Sequence, residues 1–180
     1  MSDSLDVLGI LLKCANFAAV KHSGQRRKDP EKTPYINHPI GVAYILTDEG
    51  SVRDPAVIMA AILHDTVEDT DTTLDEIKKE FGSNVANIVA EVTDDKSLPY
   101  DERKRLQIVH APTSSKEAKL VKLADKLYNL RDLEKATPEG WSQERVKQYF
   151  IWASKVVEGL RGTNRQIENS LDEIFSRHVL

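Results

Sequence analysis

The segment ILHDTVED, residues 62–69, puts one imidazole and three carboxylates directly after an apolar run. On a helix, His64 and Asp65 differ by about 100° in direction and can flank one ion, while Glu68 and Asp69 lie one turn further on. Carboxylates this close repel one another, and a divalent cation removes that cost. Imidazole and carboxylate ligands suit Mn²⁺, Fe²⁺ or Zn²⁺. The segment predicts a metal site, although an amphipathic helix that ends in solvated charge gives the same pattern.

Two further side chains could complete a ligand set. His38 precedes a proline at the entry to a predicted helix, and Asp125 lies in a stretch whose apolar neighbours point it inward. A buried aspartate requires a partner. Taken singly, His38 could be an ordinary loop histidine, and Asp125 could pair with a lysine or arginine. Taken together with His64 and Asp65, they make a set of two imidazoles and two carboxylates.

These residues lie on segments with helical periodicity, and no segment shows the alternation that is typical of a strand. We expect helices near residues 5–22, 39–49, 55–69, 74–81, 84–94, 100–110, 115–136, 142–161 and 164–177. The predicted fold class is therefore all-α.

Helix starts and apolar faces add detail to this prediction. Asp54 before a proline predicts an N-cap, and Thr73, Ser114 and Thr163 each precede a Glu or Gln by three positions, as in a capping box. Residues 56–63 are apolar on nearly every side, which predicts a central buried helix. In the first helix we expect the core face to be formed by Leu5, Leu8, Leu12, Ala15 and Ala19.

Composition bounds the class of protein. The 180 residues are expected to form one domain, with a metal-binding core at 35–130 and C-terminal helices that complete the pocket. A formal charge of −4 argues against nucleic acid as a partner, and no apolar stretch approaches the ~18 residues of a membrane span. Cys14 is the only cysteine, which excludes an internal disulfide and favours a cytoplasmic protein. An apolar face at 167–174 packs either internally or against a second copy in a homodimer.

The order of the candidate ligands resembles that of the HD superfamily of metal-dependent phosphohydrolases. YINHP, AAILHDTVEDT, VTDDK and VKLADKLYNL carry the similarity, which is closest to hydrolase domains of the RelA/SpoT type and their small metazoan branch. The resemblance implies an Mn²⁺ enzyme, with Zn²⁺ and Fe²⁺ as alternatives, that removes the 3′-pyrophosphate of guanosine 3′,5′-bis(diphosphate), ppGpp. Carried over residue by residue, the ligands are His38, His64, Asp65 and Asp125, and the catalytic acidic pair is Glu68 and Asp69.

The same resemblance implies a substrate site. Arg27 and Lys28 match the family's Arg-Lys element, although composition alone favours a solvated basic run, and the segment after it is longer than in the bacterial pattern. Asn129 lies one turn after Asp125, where the family has an asparagine beside ribose and phosphate. Lys96 is a further candidate for phosphate and Tyr149 for the pocket rim, where a core role is the alternative for the aromatic ring. We expect Lys122, Lys126 and Arg131 to form surface ion pairs.

Three alternatives stay open on the sequence. The same residues suit removal of the 2′-phosphate of NADPH. This phosphate, like the 3′-pyrophosphate of ppGpp, is a secondary phosphoryl group on a purine ribose. Another HD-type nucleotide phosphohydrolase would share the ligands. A non-catalytic nucleotide-binding protein could use the metal only to hold its helices together, and it would not need Glu68 and Asp69.

Overall fold

The computed structural model describes residues 2–179, and the side chains of residues 6–179. The described chain is all-α, with helices α1 Ser2–Lys21, α2 Asn37–Asp48, α3 Pro55–Leu63, α4 Thr66–Asp69, α5 Leu74–Phe81, α6 Ser83–Val92, α7 Tyr100–His110, α8 Lys116–Lys135, α9 Gln143–Glu158 and α10 Arg165–His178. A 3-10 turn, Ala111–Thr113, leads from α7 towards α8. One isolated bridge between Arg26 and Pro34 closes the loop between α1 and α2. Within the described residues, no helix is both long and apolar enough to cross a membrane.

The predicted central helix is α3. Its N-cap is Asp54, whose carboxylate accepts a hydrogen bond of 2.8 Å from the Ala56 amide, and a proline follows at the first helical position. Six of its residues are buried, and they pack against α1, α2, α6 and α8. The C-terminal end of α3 therefore lies inside the molecule, and the polar residues after it need internal partners.

A single helix over 55–69 is wrong, because α3 ends at Leu63 and α4 is a separate turn. Asp65 lies between them with φ −95° and ψ −6°. Side chains form hydrogen bonds with the backbone carbonyl groups at the end of α3. His64 Nδ1 lies 2.7 Å from the Ala61 oxygen, and Thr66 Oγ1 donates to the Leu63 oxygen at 2.7 Å. These local bonds compete with the helical ladder and stop it beside the candidate site.

The predicted caps are correct in type and partly displaced in position. Thr73 accepts from the Glu76 amide at 3.2 Å, as the capping box predicts. The caps of α8 and α10 are Ser115 and Asn164, each one residue later than predicted. Neighbouring hydroxyl and amide side chains can both cap a helix, and the sequence does not decide between them.

The predicted core face of α1 is wrong at Leu8 and Leu12, whereas Ala15 and Ala19 are half-buried. Leu8 and Leu12 are 59% and 72% exposed, whereas Cys14 and Ala18 are fully buried. Small side chains let α1 approach α3 closely, and the leucine stripe is left on the outside. The side chain of Leu5 lies outside the described residues.

The last two helices complete the core. The predicted inward positions of α9 and of the turn after it are buried, namely Val146, Phe150, Ala153, Val157 and Leu160. On α10, Ile167, Leu171 and Ile174 are buried as well. This face packs internally, which is one of the two outcomes that the sequence left open.

Gly41 allows the close contact between α2 and α8. A Cβ atom at this position would overlap the ring of Tyr128 on α8. His38 lies one turn before Gly41 and contacts the same tyrosine, with ring centroids 4.9 Å apart. The close approach of the two helices brings His38 towards Asp125.

Candidate metal centre and active site

Three separated segments bring the four predicted ligands together. His38 lies on α2, His64 and Asp65 follow α3, and Asp125 lies on α8. His38 Nε2 lies 3.2 Å from His64 Nε2, 3.3 Å from Asp65 Oδ2 and 3.2 Å from Asp125 Oδ1. His64 Nε2 lies 3.1 Å from Asp65 Oδ2 and 3.6 Å from Asp125 Oδ1. Both imidazoles are buried, so the cluster faces the interior.

This cluster fits a divalent cation. Donor atoms of His38, His64 and Asp65 all lie within 4.8 Å of one another. A hydrogen bond from His64 Nδ1 to the Ala61 carbonyl leaves the Nε2 lone pair pointing into the cluster. Burial lowers the pKa of His64, but the charges of Asp65 and Asp125 outweigh it and raise the pKa well above its usual value. The cluster thus attracts positive charge, which a metal ion supplies.

Neighbouring side chains orient the two candidate carboxylate ligands. Tyr35 Oη donates to Asp65 Oδ2 at 2.6 Å. Asn129 Nδ2 and Lys126 Nζ donate to the two oxygens of Asp125 at 2.7 and 2.8 Å. Burial, and then the charge of Asp65, raises the pKa of Tyr35, so its hydroxyl remains a donor. Such outer partners fix ligand geometry.

Glu68 lies on α4 and lines the same cavity as the ligands. Its Oε2 accepts from the Asp94 amide at 3.2 Å, and Oε1 lies 3.5 Å from Arg103 Nη1. Burial raises its pKa to about 7, and the nearby carboxylates of Asp94 and Asp65 act in the same direction. A carboxyl group with this pKa can exchange a proton near neutral pH.

Asp69 lies at the cavity wall next to the ligands. Its Oδ1 pairs with Lys96, and its Oδ2 lies 3.4 Å from Tyr35 Oη. Its carbonyl accepts from Gln25 Nε2 at 3.1 Å, which ties α4 to the loop after α1. The structure therefore brings both members of the predicted acidic pair to the ligand cluster.

The cavity has a volume of about 210 Å³, and Arg27, Asn129 and Tyr149 line it as predicted. Arg27 donates to Asn129 Oδ1 at 2.9 Å and to Asp132 Oδ2 at 3.0 Å. The loop presents Arg27 because its amide bonds to the Thr33 carbonyl at 2.8 Å. These contacts place a guanidinium and a carboxamide side by side.

Two predicted substrate residues do not line the cavity. Lys28 is exposed, and its carbonyl accepts a hydrogen bond of 2.7 Å from the amide of Glu139. Lys96 is exposed as well and reaches the site only through its ion pair with Asp69. Lys28 therefore follows Arg27 in the sequence but does not share the contacts of Arg27 with Asn129 and Asp132.

The expectation of surface pairs is wrong for Lys122 and Lys126, because both line the cavity. Lys126 is only 6% exposed. Burial lowers its pKa, but the charge of Asp125 outweighs burial and raises it, so the ammonium stays charged. Arg131 does form the expected pair, with Glu49. Lys122 precedes Asp125 by three positions, and this helical spacing was a usable signal.

The wall formed by α7 was missed entirely. Tyr100, Arg103, Lys104 and Gln107 all line the cavity. Their spacing of three, four and seven residues puts them on one helix face. No residue of α7 is fully buried, so the helix has the sequence pattern of a solvated one.

Comparisons with known proteins bear on the family and the fold of the chain. A family profile described as HD domain matches residues 14–154. The chain is 68% identical over 166 residues to a protein of Xenopus tropicalis named guanosine-3′,5′-bis(diphosphate) 3′-pyrophosphohydrolase MESH1, with 92% of this chain and 93% of the relative covered. The human protein of that name is 65% identical over 170 residues, covering 94% and 95%. A solved structure described as a metazoan ortholog of SpoT that hydrolyses ppGpp superposes with a TM-score of 0.93 at 57% identity, covering 95% of this chain and 97% of the other.

Proposed function

The chain belongs to the HD domain family, and we propose that it removes the 3′-pyrophosphate from ppGpp and releases GDP and diphosphate. The observation that carries this conclusion is that His38, His64, Asp65 and Asp125 converge in one cavity. The activity named for relatives that are 65–68% identical over nearly the whole chain supports the choice of ppGpp.

We propose Mn²⁺ as the ion and these four side chains as its ligands. Mixed imidazole and carboxylate donors suit Mn²⁺, and they also accept Zn²⁺ and Fe²⁺. When bound, a divalent cation in such a site lowers the pKa of water and polarises a phosphoryl oxygen.

Glu68 and Asp69 are the proposed catalytic acidic pair. With a pKa of about 7, Glu68 can orient the attacking water and accept its proton. Asp69 is held by Lys96 and Tyr35, so its role is to fix the position of the water beside Glu68. A purely structural metal would not need either carboxylate.

Arg27, Asn129 and Tyr149 are the proposed contacts for the nucleotide. A guanidinium can donate two bonds to a phosphate, and the neighbouring amide can bind a ribose hydroxyl. Lys28 and Lys96 remain candidates for contacts at the cavity mouth. The same groups suit NADPH, which also carries a secondary phosphoryl group on a purine ribose, and its 2′-dephosphorylation is the second candidate activity.

The organisation of the protein follows from the same site. We propose that residues 1–180 act as one hydrolase domain, because the cavity draws on the loop before α2 and on helices up to α9. A cytoplasmic location is supported by the buried, unpaired thiol of Cys14.

The test is an assay of the purified protein with Mn²⁺ against ppGpp, NADPH and other phosphorylated purine nucleotides, with phosphate and diphosphate resolved as products. We expect GDP and diphosphate from ppGpp, and their loss in Glu68→Gln. Release of phosphate from NADPH alone would favour the second candidate. Turnover of an unrelated nucleotide only would favour a different HD-type hydrolase, and no turnover of any would favour the non-catalytic alternative.

A further inference from the structure

Lys104 lines the cavity and lies among three aromatic rings, which form an aromatic box around its ammonium group. Its Nζ lies 3.8 Å from the ring centroid of Trp152, 5.5 Å from that of Tyr100 and 5.6 Å from that of Tyr149. Trp152 Nε1 donates to the carbonyl of Lys104 at 3.0 Å, which fixes the indole against α7. Three aromatic faces thus hold the ammonium in place by cation–π attraction.

The charge of this ammonium is not compensated by the protein. Among the described side chains, no carboxylate lies within 4.0 Å of Lys104 Nζ. Burial, and then the positive charge of Lys126, lowers the pKa of Lys104 to about 8. Asp94, Asp125 and Glu68 oppose this shift only from a distance. A bound anion would supply the missing counter-charge.

Lys104 continues a row of ammonium groups that starts at the metal ligands. Lys126 Nζ lies 2.8 Å from Asp125 Oδ2 and 5.0 Å from the ring centroid of Trp152. Lys104 contacts the same indole ring. Lys122 lines the same cavity, and its Nζ lies 3.1 Å from Ser114 Oγ without a carboxylate partner among the described residues. The three ammonium groups of this row therefore line the same cavity as the candidate ligands.

We propose that Lys104 binds the distal phosphoryl group of the 3′-diphosphate and makes the site selective for a diphosphate over a monophosphate ester. This inference rests on the proposed hydrolysis of ppGpp. The phosphoryl group next to the ribose lies with the metal ligands, where water attacks, and the distal group extends along the row. Lys126 is already engaged by Asp125 and Lys122 by the hydroxyl of Ser114. Of the three ammonium groups, Lys104 alone has no hydrogen-bond or ion-pair partner among the described residues, so it is the one available to this second group. An ammonium–phosphate hydrogen bond is charge-assisted and roughly twice as strong as a bond between neutral groups.

The deciding experiment compares two substrates that differ only in the distal group: ppGpp and guanosine 5′-diphosphate 3′-monophosphate. Lys104→Met keeps the length of the side chain and its contact with the aromatic rings but removes the charge. We expect kcat/KM for ppGpp to fall by roughly 10- to 100-fold, the effect of losing one charge-assisted hydrogen bond. For the monophosphate we expect a loss of at most about threefold, since that substrate lacks the group which Lys104 binds. An equal fall for both substrates, or no fall for ppGpp, overturns the inference.

Arg105→Met is the matched control, because Arg105 lies on the same helix but is exposed and paired with Glu102. It should change neither value. A second readout does not depend on turnover: equilibrium dialysis of the Mn²⁺-loaded protein with labelled pyrophosphate and phosphate at fixed free Mn²⁺. Lys104→Met should weaken pyrophosphate binding and leave phosphate binding nearly unchanged. If the unmodified protein does not hydrolyse ppGpp but binds pyrophosphate more tightly than Lys104→Met does, the proposed function is wrong and the pyrophosphate site stands. If Lys104→Met binds pyrophosphate as tightly as the unmodified protein, the site itself is overturned.

Discussion

Replacing Glu68 with Gln should stabilise the metal-free protein and abolish its activity when the metal is bound. Burial raises the pKa of Glu68 from 4.5 to about 7, so ionising it in the fold costs about 3 kcal/mol. Since the folded-state pKa is the higher one, the stability that the protonated carboxyl contributes is present below pH 4.5 and is lost as the pH rises through about 7. An amide keeps the bond from the Asp94 amide and carries no charge.

At pH 8 we expect Glu68→Gln to raise the free energy of unfolding by about 1–3 kcal/mol. The gain is smaller than the full cost of ionising Glu68, because the variant loses the contact with Arg103. At pH 5 the gain should nearly vanish. Urea unfolding in the presence of a chelator measures both values. Each kcal/mol also raises Tm by about 2–4 °C for a chain of this size.

Glu31→Gln is the matched control, since Glu31 is exposed and undergoes the same chemical change. It should leave stability unchanged at both pH values. A Glu68→Gln protein that is less stable at pH 8, or equally stabilised at pH 5, would refute the electrostatic reasoning. Unchanged turnover of ppGpp by the Mn²⁺-loaded variant would refute the catalytic role.

Three further outcomes follow from contacts around the ligands. Tyr35→Phe removes the bond to Asp65 and should weaken Mn²⁺ binding by roughly 10-fold in an EPR titration; unchanged affinity would show that this contact does not orient the ligand. Gly41→Ala forces the Tyr128 ring away from α2 and should cost about 1–3 kcal/mol in urea unfolding, so full stability would contradict the close approach. Burial raises the pKa of Cys14 to about 12, and the thiol should react with a disulfide reagent at pH 8 only after unfolding; fast reaction of the folded protein would contradict its burial.

The clustering of the four candidate ligands was predictable because they belong to short segments with unusual residue types. An imidazole and carboxylates directly after the most apolar helix fit a solvated helix end as well, but His38 and Asp125, which stands among buried residues, add the same donor types from two other segments. The sequence also predicted the caps at Asp54 and Thr73, since these depend on neighbouring residues alone. Local chemistry was sufficient for both.

Features that depend on tertiary packing were not predictable. The break at His64 and Asp65 follows from side-chain bonds to carbonyls at the end of α3, and a helical pattern continues through it in the sequence. The leucine stripe of α1 has a core pattern, but Leu12 is exposed because smaller residues make the contact. The sequence of α7, which contains Lys104, has the pattern of a solvated helix. The aromatic surroundings of Lys104 become visible only when α7 is packed against α9.

The most direct test of the central claim measures metal content and ppGpp turnover on the same samples of the natural protein and of Asp65→Ala. The four-ligand site predicts one Mn²⁺ per chain and release of GDP and diphosphate for the natural protein. For Asp65→Ala the four-ligand site predicts a folded protein that binds no Mn²⁺ and does not turn over ppGpp. Stoichiometric Mn²⁺ together with turnover in Asp65→Ala would contradict it.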